Sequence, residues 1–373
     1  MNNSTVDVLI MGGGIAGVGC AAMLPEHLSV VLLEAETQCG YHATGRSAAA
    51  WIAGYGGPEI RVLTRESKPY LSNPPASLGV NGFLQPRGEM LLARNSEEVR
   101  ELNALLSTTP DLKEISVSNA LERVPILQVK GLLKVAYASE AYDIDADRLL
   151  QTWLRMSARQ GVQLFNDQSV QALRRVQGHW EVLANSGRSW RARTVVNASG
   201  AWADTLASLA GLAPLGLTPH RRSAALLPSP DGYDVNAWPL FVSASETWYG
   251  RPTGGKLMVS PADETPTEPH DAFAEDITIA EGLDRFEQAV TIEVETVDTT
   301  WAGLRTFAPD RVPVVGEDPR TDGFFWLAGQ GGYGIQTAPA LCELAAKMLS
   351  AQPLASWQDE LLPRLSVSRL LNG

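Results

Sequence analysis

Short apolar runs broken by glycine mark both ends of this chain, and a longer stretch of mixed polar and apolar residues lies between them. Val6–Met11 is a mostly apolar run and predicts a buried parallel strand. Ile15–Leu24 is small and apolar, as suits a helix packed on a sheet, and Pro25 ends it. Leu28–Leu33 predicts a second strand. Residues 96–123 read as one polar helical stretch, with Glu97, Glu98 and Glu101 opposite Leu102, Leu105 and Leu106. Asp145 is placed to cap a helix carrying Leu149, Leu150, Trp153, Leu154 and Ser157. A strand at Gln163–Phe165, a hairpin around Gly178 and a strand from Thr194 closing on Gly200 follow. From Pro214 to about Thr300 proline and period-two alternation increase, which predicts an antiparallel layer. Phe324–Ala328 then reads as a strand, 329–334 as a glycine-rich turn and Ile335–Ser350 as a helix. The expected fold class is α/β, a dinucleotide-type domain interleaved with an antiparallel-sheet α+β domain. The first takes residues 1–82, 142–213 and 300–373, the second 83–141 and 214–299. A small-molecule site is expected where they meet.

Gly12, Gly14 and Gly17 give the turn after the first strand the G-x-G-x-x-G spacing. The first glycine permits the tight turn, the second the close approach of a pyrophosphate, and the third the packing of helix on strand. The helix N-terminus beyond them suits a phosphate. Glu34 ends the second strand, 22 residues after Gly12, where a carboxylate accepts ribose hydroxyls. A carboxylate there, rather than arginine, argues against a 2′-phosphate and for an NAD- or FAD-type site. Gly40–Ala50 is rich in glycine and hydroxyls and can donate to a phosphate or a ring, with Arg46 supplying charge. By composition alone a plain surface loop fits it equally well. Glycines around Tyr55 suit a mobile lid or an ordinary turn.

Composition narrows the class. At 373 residues, 45% hydrophobic and 19% charged, the chain is long enough for two domains of an ordinary globular protein. A net charge of −12 disfavours nucleic acid and anionic membrane surfaces as partners. Met1–Thr5 carries no signal-peptide features, and no apolar run approaches the ~20 residues a membrane span needs, so a cytoplasmic location without stable membrane insertion is expected, peripheral association with the inner membrane being left open. Three scattered cysteines and five histidines without ligand spacing point to neither a disulfide framework nor a metal site.

With Gly-Tyr-His-Ala-Thr-Gly-Arg-Ser-Ala-Ala (40–49), Trp-Ala-Gly-Leu-Arg-Thr-Phe (301–307) and Gly-Gln-Gly-Gly-Tyr-Gly-Ile-Gln-Thr (329–337) in view, the chain resembles the D-amino-acid oxidase superfamily of FAD enzymes over essentially its full length. Within it, the bacterial FAD-dependent D-arginine dehydrogenases are the nearest resemblance. The resemblance implies a Rossmann-like FAD-binding domain of the glutathione-reductase type. It implies FAD held by Gly12, Gly14, Ile15, Gly17, Glu34 and Ala35 on the ADP part, and by Thr44, Gly45, Arg46, Ser47 and Ala48 along the pyrophosphate and flavin. Val170, Ala198 and Gly200 fall on the adenine side, and Gly332, Gly334, Ile335, Gln336 and Thr337 at the isoalloxazine, where a helix N-terminus favours the negative charge of the reduced ring. No cysteine lies in 301–307 or 329–337, so the flavin is expected to be non-covalent.

The implied reaction oxidises an amine next to a carboxylate, the Cα hydride passing to flavin N5 and the imino acid hydrolysing to a keto acid. Such chemistry needs positioning more than acid–base groups. By resemblance Arg222, Arg305 and Tyr249 clamp the carboxylate, Tyr55 is the lid tyrosine and Gly332 offers a carbonyl to the amine. Glu89 matches the acid that receives a guanidinium in the D-arginine enzymes; without the resemblance a strand-edge carboxylate is the plainer reading. The family's His–Tyr pair is replaced by Ala50 and Trp51, and Trp248 precedes Tyr249, changes that suggest room for a different or bulkier amine. The expected partners are a small-molecule amine or D-amino acid and an electron acceptor left open between a quinone, another carrier and O2. The alternatives are oxidation of a secondary or specialised metabolite amine, a flavin-binding protein with little catalysis, and an NAD enzyme, which would not need the C-terminal glycine block.

Overall fold

The computed structural model describes residues 5–371; Met1–Ser4 and Asn372–Gly373 lie outside them. The apolar run at the N-terminus forms the strand Thr5–Met11 at the centre of an eight-stranded sheet. It pairs in parallel with Val30–Leu33 on one side and Ser189–Asn197 on the other. Ser189–Asn197 is long enough to serve two neighbours on its far edge. Its first half pairs antiparallel with His179–Ala184, and its second half pairs in parallel with Phe324–Ala328. The hairpin at Gly178 and the short strand Gln163–Phe165 complete this layer largely as the pattern indicates.

The helix Ile15–Met23 lies between Ala146–Arg159 and Gly334–Leu349, and its small side chains are what allow this. A Cβ on Gly19 would stand 2.6 Å from the Trp153 ring and 2.7 Å from Cys342 Sγ. Asp145 does cap Ala146–Arg159, its carboxylate accepting from Arg148 N at 3.0 Å.

The second, nine-stranded sheet holds Glu89–Ala93, Leu112–Ile115, Lys134–Ala138 and the strands between 218 and 266. Three details depart from the sequence pattern. Residues 96–123 are not one helical stretch: Ser96–Thr108 ends at Thr109-Pro110, a strand follows at Leu112–Ile115, and a new helix starts at Val117. Pro110 has no N–H to continue a helix and disfavours helical geometry at the residue before it. Leu240–Ser243 runs parallel to Glu89–Ala93 inside the otherwise antiparallel layer. Most consequential, Thr299–Phe307 pairs along its whole length with Thr218–Leu227, so the chain leaves the second sheet after Phe307 and not at 300. A three-stranded sheet of Ala50–Ile52, Leu84–Pro86 and Ala141–Ile144 lies outside both large sheets.

Candidate cofactor and substrate site

At the end of the first strand the backbone decides everything. Gly12 has φ +113°, and a Cβ there would overlap the Ala198 carbonyl. A Cβ on Gly17 would overlap the carbonyl of Gly12, so the helix can approach the strand only through glycine. Gly13, which the motif spacing does not single out, is equally constrained, its Cβ position lying 2.6 Å from Cys39 Sγ and 2.7 Å from Glu34 Oε2. Glu34 accepts from Gly13 N at 2.6 Å and from Glu36 N at 2.8 Å, so it fixes the glycine turn. Burial raises its pKa above the usual carboxylate value. Ile15 N, at the start of the helix, donates to Thr44 Oγ1 at 3.0 Å and brings the 40–49 loop against the turn.

From this turn a cavity of about 510 Å³ runs into the second sheet. Its nucleotide end is walled by Gly12, Gly14, Ile15, Glu34 and Ala35, with Val170, Ala198 and Gly200 beside them. Thr44, Arg46, Ser47 and Ala48 line the middle, and Gly332, Gly334 and Ile335 the far side together with Arg222, Tyr249 and Arg305. Gly17 and Gly45 do not reach the wall. Gly45 instead donates to Gly40 O at 2.8 Å in a contact too close for a side chain.

The side chains of two expected flavin contacts point elsewhere. Gln336 is buried, bonded to Ile52 N at 3.2 Å and to Thr64 Oγ1 at 2.9 Å, and Thr337 donates to Tyr333 O at 2.9 Å. Both side chains are spent inside the protein because the helix turns them away from the cavity. Arg46 lines the cavity, but its guanidinium is engaged by Asp271 and by the carbonyls of Ala272 and Ala302.

Register gathers the candidate substrate residues. Arg222 pairs with Gly303 and His220 with Arg305, so Arg222 and Arg305 share one face of the sheet. Tyr249, across the sheet, joins them at the cavity. Arg305 forms no ion pair among the described residues, and its hydrogen bond goes to Tyr55 Oη at 3.3 Å. A Cβ on Gly332 would stand 2.8 Å from Arg305 Nη1, so a side chain there would displace the guanidinium from its present place. Arg222 is partly spoken for, by Asp263 O at 2.8 Å and Glu264 at 3.2 Å. Tyr55 and Glu89 stand outside the cavity wall proper, Tyr55 reaching it through Arg305.

Burial pushes the Glu89 carboxyl up to about 7, with a further push from the charge of Glu246. Glu246 also feels the charges of Arg222 and Arg305. It is a charged neighbour of these groups that the sequence pattern does not reveal, carried on the turn between Leu240–Ser243 and Tyr249–Thr253 at φ +52°. Tyr333 is a second residue that the pattern does not reveal. Its ring meets that of Tyr55 edge-on at 4.9 Å, and burial with the nearby Tyr55 pushes its phenol up to about 12.

Three substitutions expected to reshape the pocket do not face it. Trp51 is buried with its Nε1 donating to Thr64 O at 2.9 Å and Lys68 Nζ 4.7 Å over its ring. Ala50 sits in the same short strand opposite Asp143, off the cavity wall. Trp248 belongs to an aromatic cluster with Phe241 and Phe286 on the other side of the second sheet.

A cradle of glycines that no side chain can enter, a helix N-terminus, a buried carboxylate at the end of the second strand and a long cavity beyond them fit an extended dinucleotide. Comparison with known proteins agrees. A glycine oxidase of Geobacillus kaustophilus is 25% identical over 367 residues, covering 94% of both chains. The FAD-dependent oxidoreductase domain-containing protein 1 of Xenopus laevis is 25% identical over 92% of this chain and 79% of its own. Among solved structures, a glycine oxidase from Geobacillus kaustophilus superposes with a TM-score of 0.82 at 23% identity, covering 94% of this chain and 96% of its own. L-proline dehydrogenase from P. horikoshii reaches 0.84 at 19%, covering 99% of both chains. Among the described residues no helix is long and apolar enough to cross a membrane. The family model for DAO, FAD dependent oxidoreductase, matches residues 7–348, and this chain is therefore a member of that family with FAD as its cofactor.

Proposed function

We propose that this protein oxidises the α-amino group of an amino acid held by its carboxylate, and that the preferred substrate is a D-amino acid with a basic side chain. The observation that carries the reading is Arg305. A guanidinium on the cavity wall, with a phenol rather than a carboxylate as its partner, favours an anion arriving with the ligand. Arg222 and Tyr249 stand on the same side of the cavity and complete a carboxylate clamp.

The basic side chain is argued from the opposite charge. The charge of Glu246 bears on Glu89, Glu246 in turn feels Arg222 and Arg305, and a cationic group beside the two carboxylates would relieve the repulsion on Glu89. Bound FAD supplies a two-electron acceptor for the hydride on Cα. What the chain contributes is orientation: the clamp fixes the carboxylate, the Gly332 backbone carbonyl is offered to the amine as in the family, and Tyr55 and Tyr333 pack ring to ring beside Arg305. The relatives support amine chemistry in general, since a glycine oxidase and a mitochondrial sarcosine dehydrogenase of Mus musculus are among them. The narrower assignment rests on Glu89 and the resemblance to D-arginine dehydrogenases. The secondary-amine alternative keeps the support of the sarcosine dehydrogenase among the relatives, although Ala50 and Trp51 do not line the cavity.

The test is anaerobic bleaching of the yellow protein with D-arginine, D-lysine, D-methionine and L-arginine. Bleaching by the basic D-amino acids and not by L-arginine is expected. Bleaching by small neutral amines alone would sink the proposed specificity while leaving the clamp in place.

A further inference from the structure

The charge of Arg46 is used in a way its position in the 40–49 block does not announce. Its guanidinium donates to Ala272 O at 2.8 Å and Ala302 O at 3.1 Å and pairs with Asp271, which also accepts from Tyr41 Oη at 3.1 Å. Tyr41 and Arg46 belong to the loop after the second nucleotide strand. Asp271 and Ala272 belong to the segment that joins the strand Thr265–Pro266 of the second sheet to the helix Asp276–Glu287. This segment supplies part of the cavity wall through His270 and Ala272. Ala272 is anchored further by packing with Ala201, Ala302 and Leu304. One carboxylate thus fastens a segment of one domain to Arg46 and Tyr41 of the other, with His42 Nδ1 3.9 Å away, beside the cofactor cavity.

We propose that Asp271 is a cofactor-retaining residue: it clasps segment 267–275 to Arg46 and Tyr41, and FAD leaves the protein only when this clasp opens. The inference rests on FAD occupying the cavity, and not on the identity of the substrate. It makes a prediction opposite in sign to simple electrostatics. Removing a carboxylate near an anionic pyrophosphate lowers repulsion and frees Arg46 to meet the phosphates, which by charge alone would slow FAD release. Loss of a clasp speeds it.

The experiment follows flavin fluorescence on dilution of the holoenzyme for wild type, D271N, Y41F and E268Q. Glu268 lies in the same segment, and its side chain has no hydrogen-bond or ion-pair partner among the described residues, so E268Q controls for charge. The expected result is release roughly tenfold faster in D271N, a smaller acceleration in Y41F, and no acceleration in E268Q. Because the pair is partly exposed, wild-type release should also quicken between roughly 0.05 and 0.5 M salt, and that dependence should be lost in D271N. Bleaching by substrate, counted per bound flavin, should stay at the wild-type rate. Release from D271N at or below the wild-type rate overturns the proposal, and if D271N does not fold, release from Y41F at or below that rate overturns it equally. Wild-type protein that takes up no FAD would instead remove the cofactor reading on which the inference stands.

Discussion

The nucleotide end and the substrate end of the cavity are built on different principles. At the nucleotide end a handful of glycines and one carboxylate, all between Gly12 and Glu34, set the geometry through the backbone. At the substrate end Arg222, Tyr249, Arg305 and Tyr55 come from separate segments, and the Tyr55–Arg305 contact spans 250 residues of sequence. Phosphate recognition needs close backbone approach, which a local motif can encode. A carboxylate clamp needs two guanidinium groups on one face, and only the pairing register of Thr218–Leu227 with Thr299–Phe307 provides that. The first kind of site fails by steric overlap, the second by loss of a charge.

The largest effect should come from Arg305→Ala. Removing the cation takes away the clamp's least-committed charge, and kcat/KM should fall about 10³-fold, equivalent to ~4 kcal/mol, with FAD content unchanged. Gly17→Ala should do the reverse. Its Cβ would overlap the Gly12 carbonyl, so the turn must shift at a cost of about 1–3 kcal/mol. The protein should lose FAD on gel filtration, while the residual flavin-loaded fraction binds carboxylate ligands normally. If Gly17→Ala keeps its flavin, or Arg305→Ala loses it, the separation of the two ends is wrong.

Glu89→Gln sharpens the substrate end with a smaller effect. For a basic substrate kcat/KM should fall by roughly 10–100-fold, for a neutral amino acid hardly at all. The pH dependence has a defined sign. Burial raises this carboxyl from an ordinary value of 4.5 to about 7, so as pH falls through 7 it becomes neutral and KM for D-arginine rises. The folded protein holds the proton more tightly than the unfolded chain does. The stability contributed by this group is therefore present below pH 4.5 and is lost as pH rises through about 7. Glu89→Gln should flatten both slopes, and denaturation midpoints between these pH values with no difference from wild type would show that Glu89 is freely hydrated.

What the sequence makes legible follows the same division. Gly12, Gly14, Gly17 and Glu34 are found by spacing because strand, turn and helix are consecutive. The sandwiched helix Ile15–Met23 is found because its small residues, glycine where it meets the Gly12 carbonyl, Trp153 and Cys342, stand consecutively in the sequence. Gly13 escapes because its constraint comes from the Glu34 and Cys39 side chains, which no motif spacing describes. Gln336 and Thr337 follow a glycine turn that does reach the cavity, yet helical rotation directs their side chains to Thr64 and Tyr333. Glu246 and Tyr333 come near the clamp only through the long-range fold, Glu246 by feeling the charges of Arg222 and Arg305 and Tyr333 by its ring contact with Tyr55. Arg46 is the instructive intermediate: its place beside the cavity is readable, and its partner Asp271, 225 residues away, is not.

Trp51 sets the smallest and most diagnostic test. By the family resemblance it replaces a tyrosine beside the substrate amine, and on that basis a change at this position should alter KM. The strand Ala50–Ile52 instead turns the indole inward, against the helix Pro58–Ser72, where Nε1 meets Thr64 O and the ring carries Lys68 Nζ on its face. Phenylalanine keeps most of the ring but loses the N–H donor and weakens the cation–π contact, at a cost of about 1 kcal/mol in stability. Thr64 O also belongs to a helical turn, so its loss of the indole donor does not leave it bare. Trp51→Phe should therefore lower the unfolding temperature slightly and leave KM for every amine where it was. A selective change in KM without loss of stability would mean that residue 51 reaches the substrate after all, and the short strand would then have to present its opposite face to the cavity.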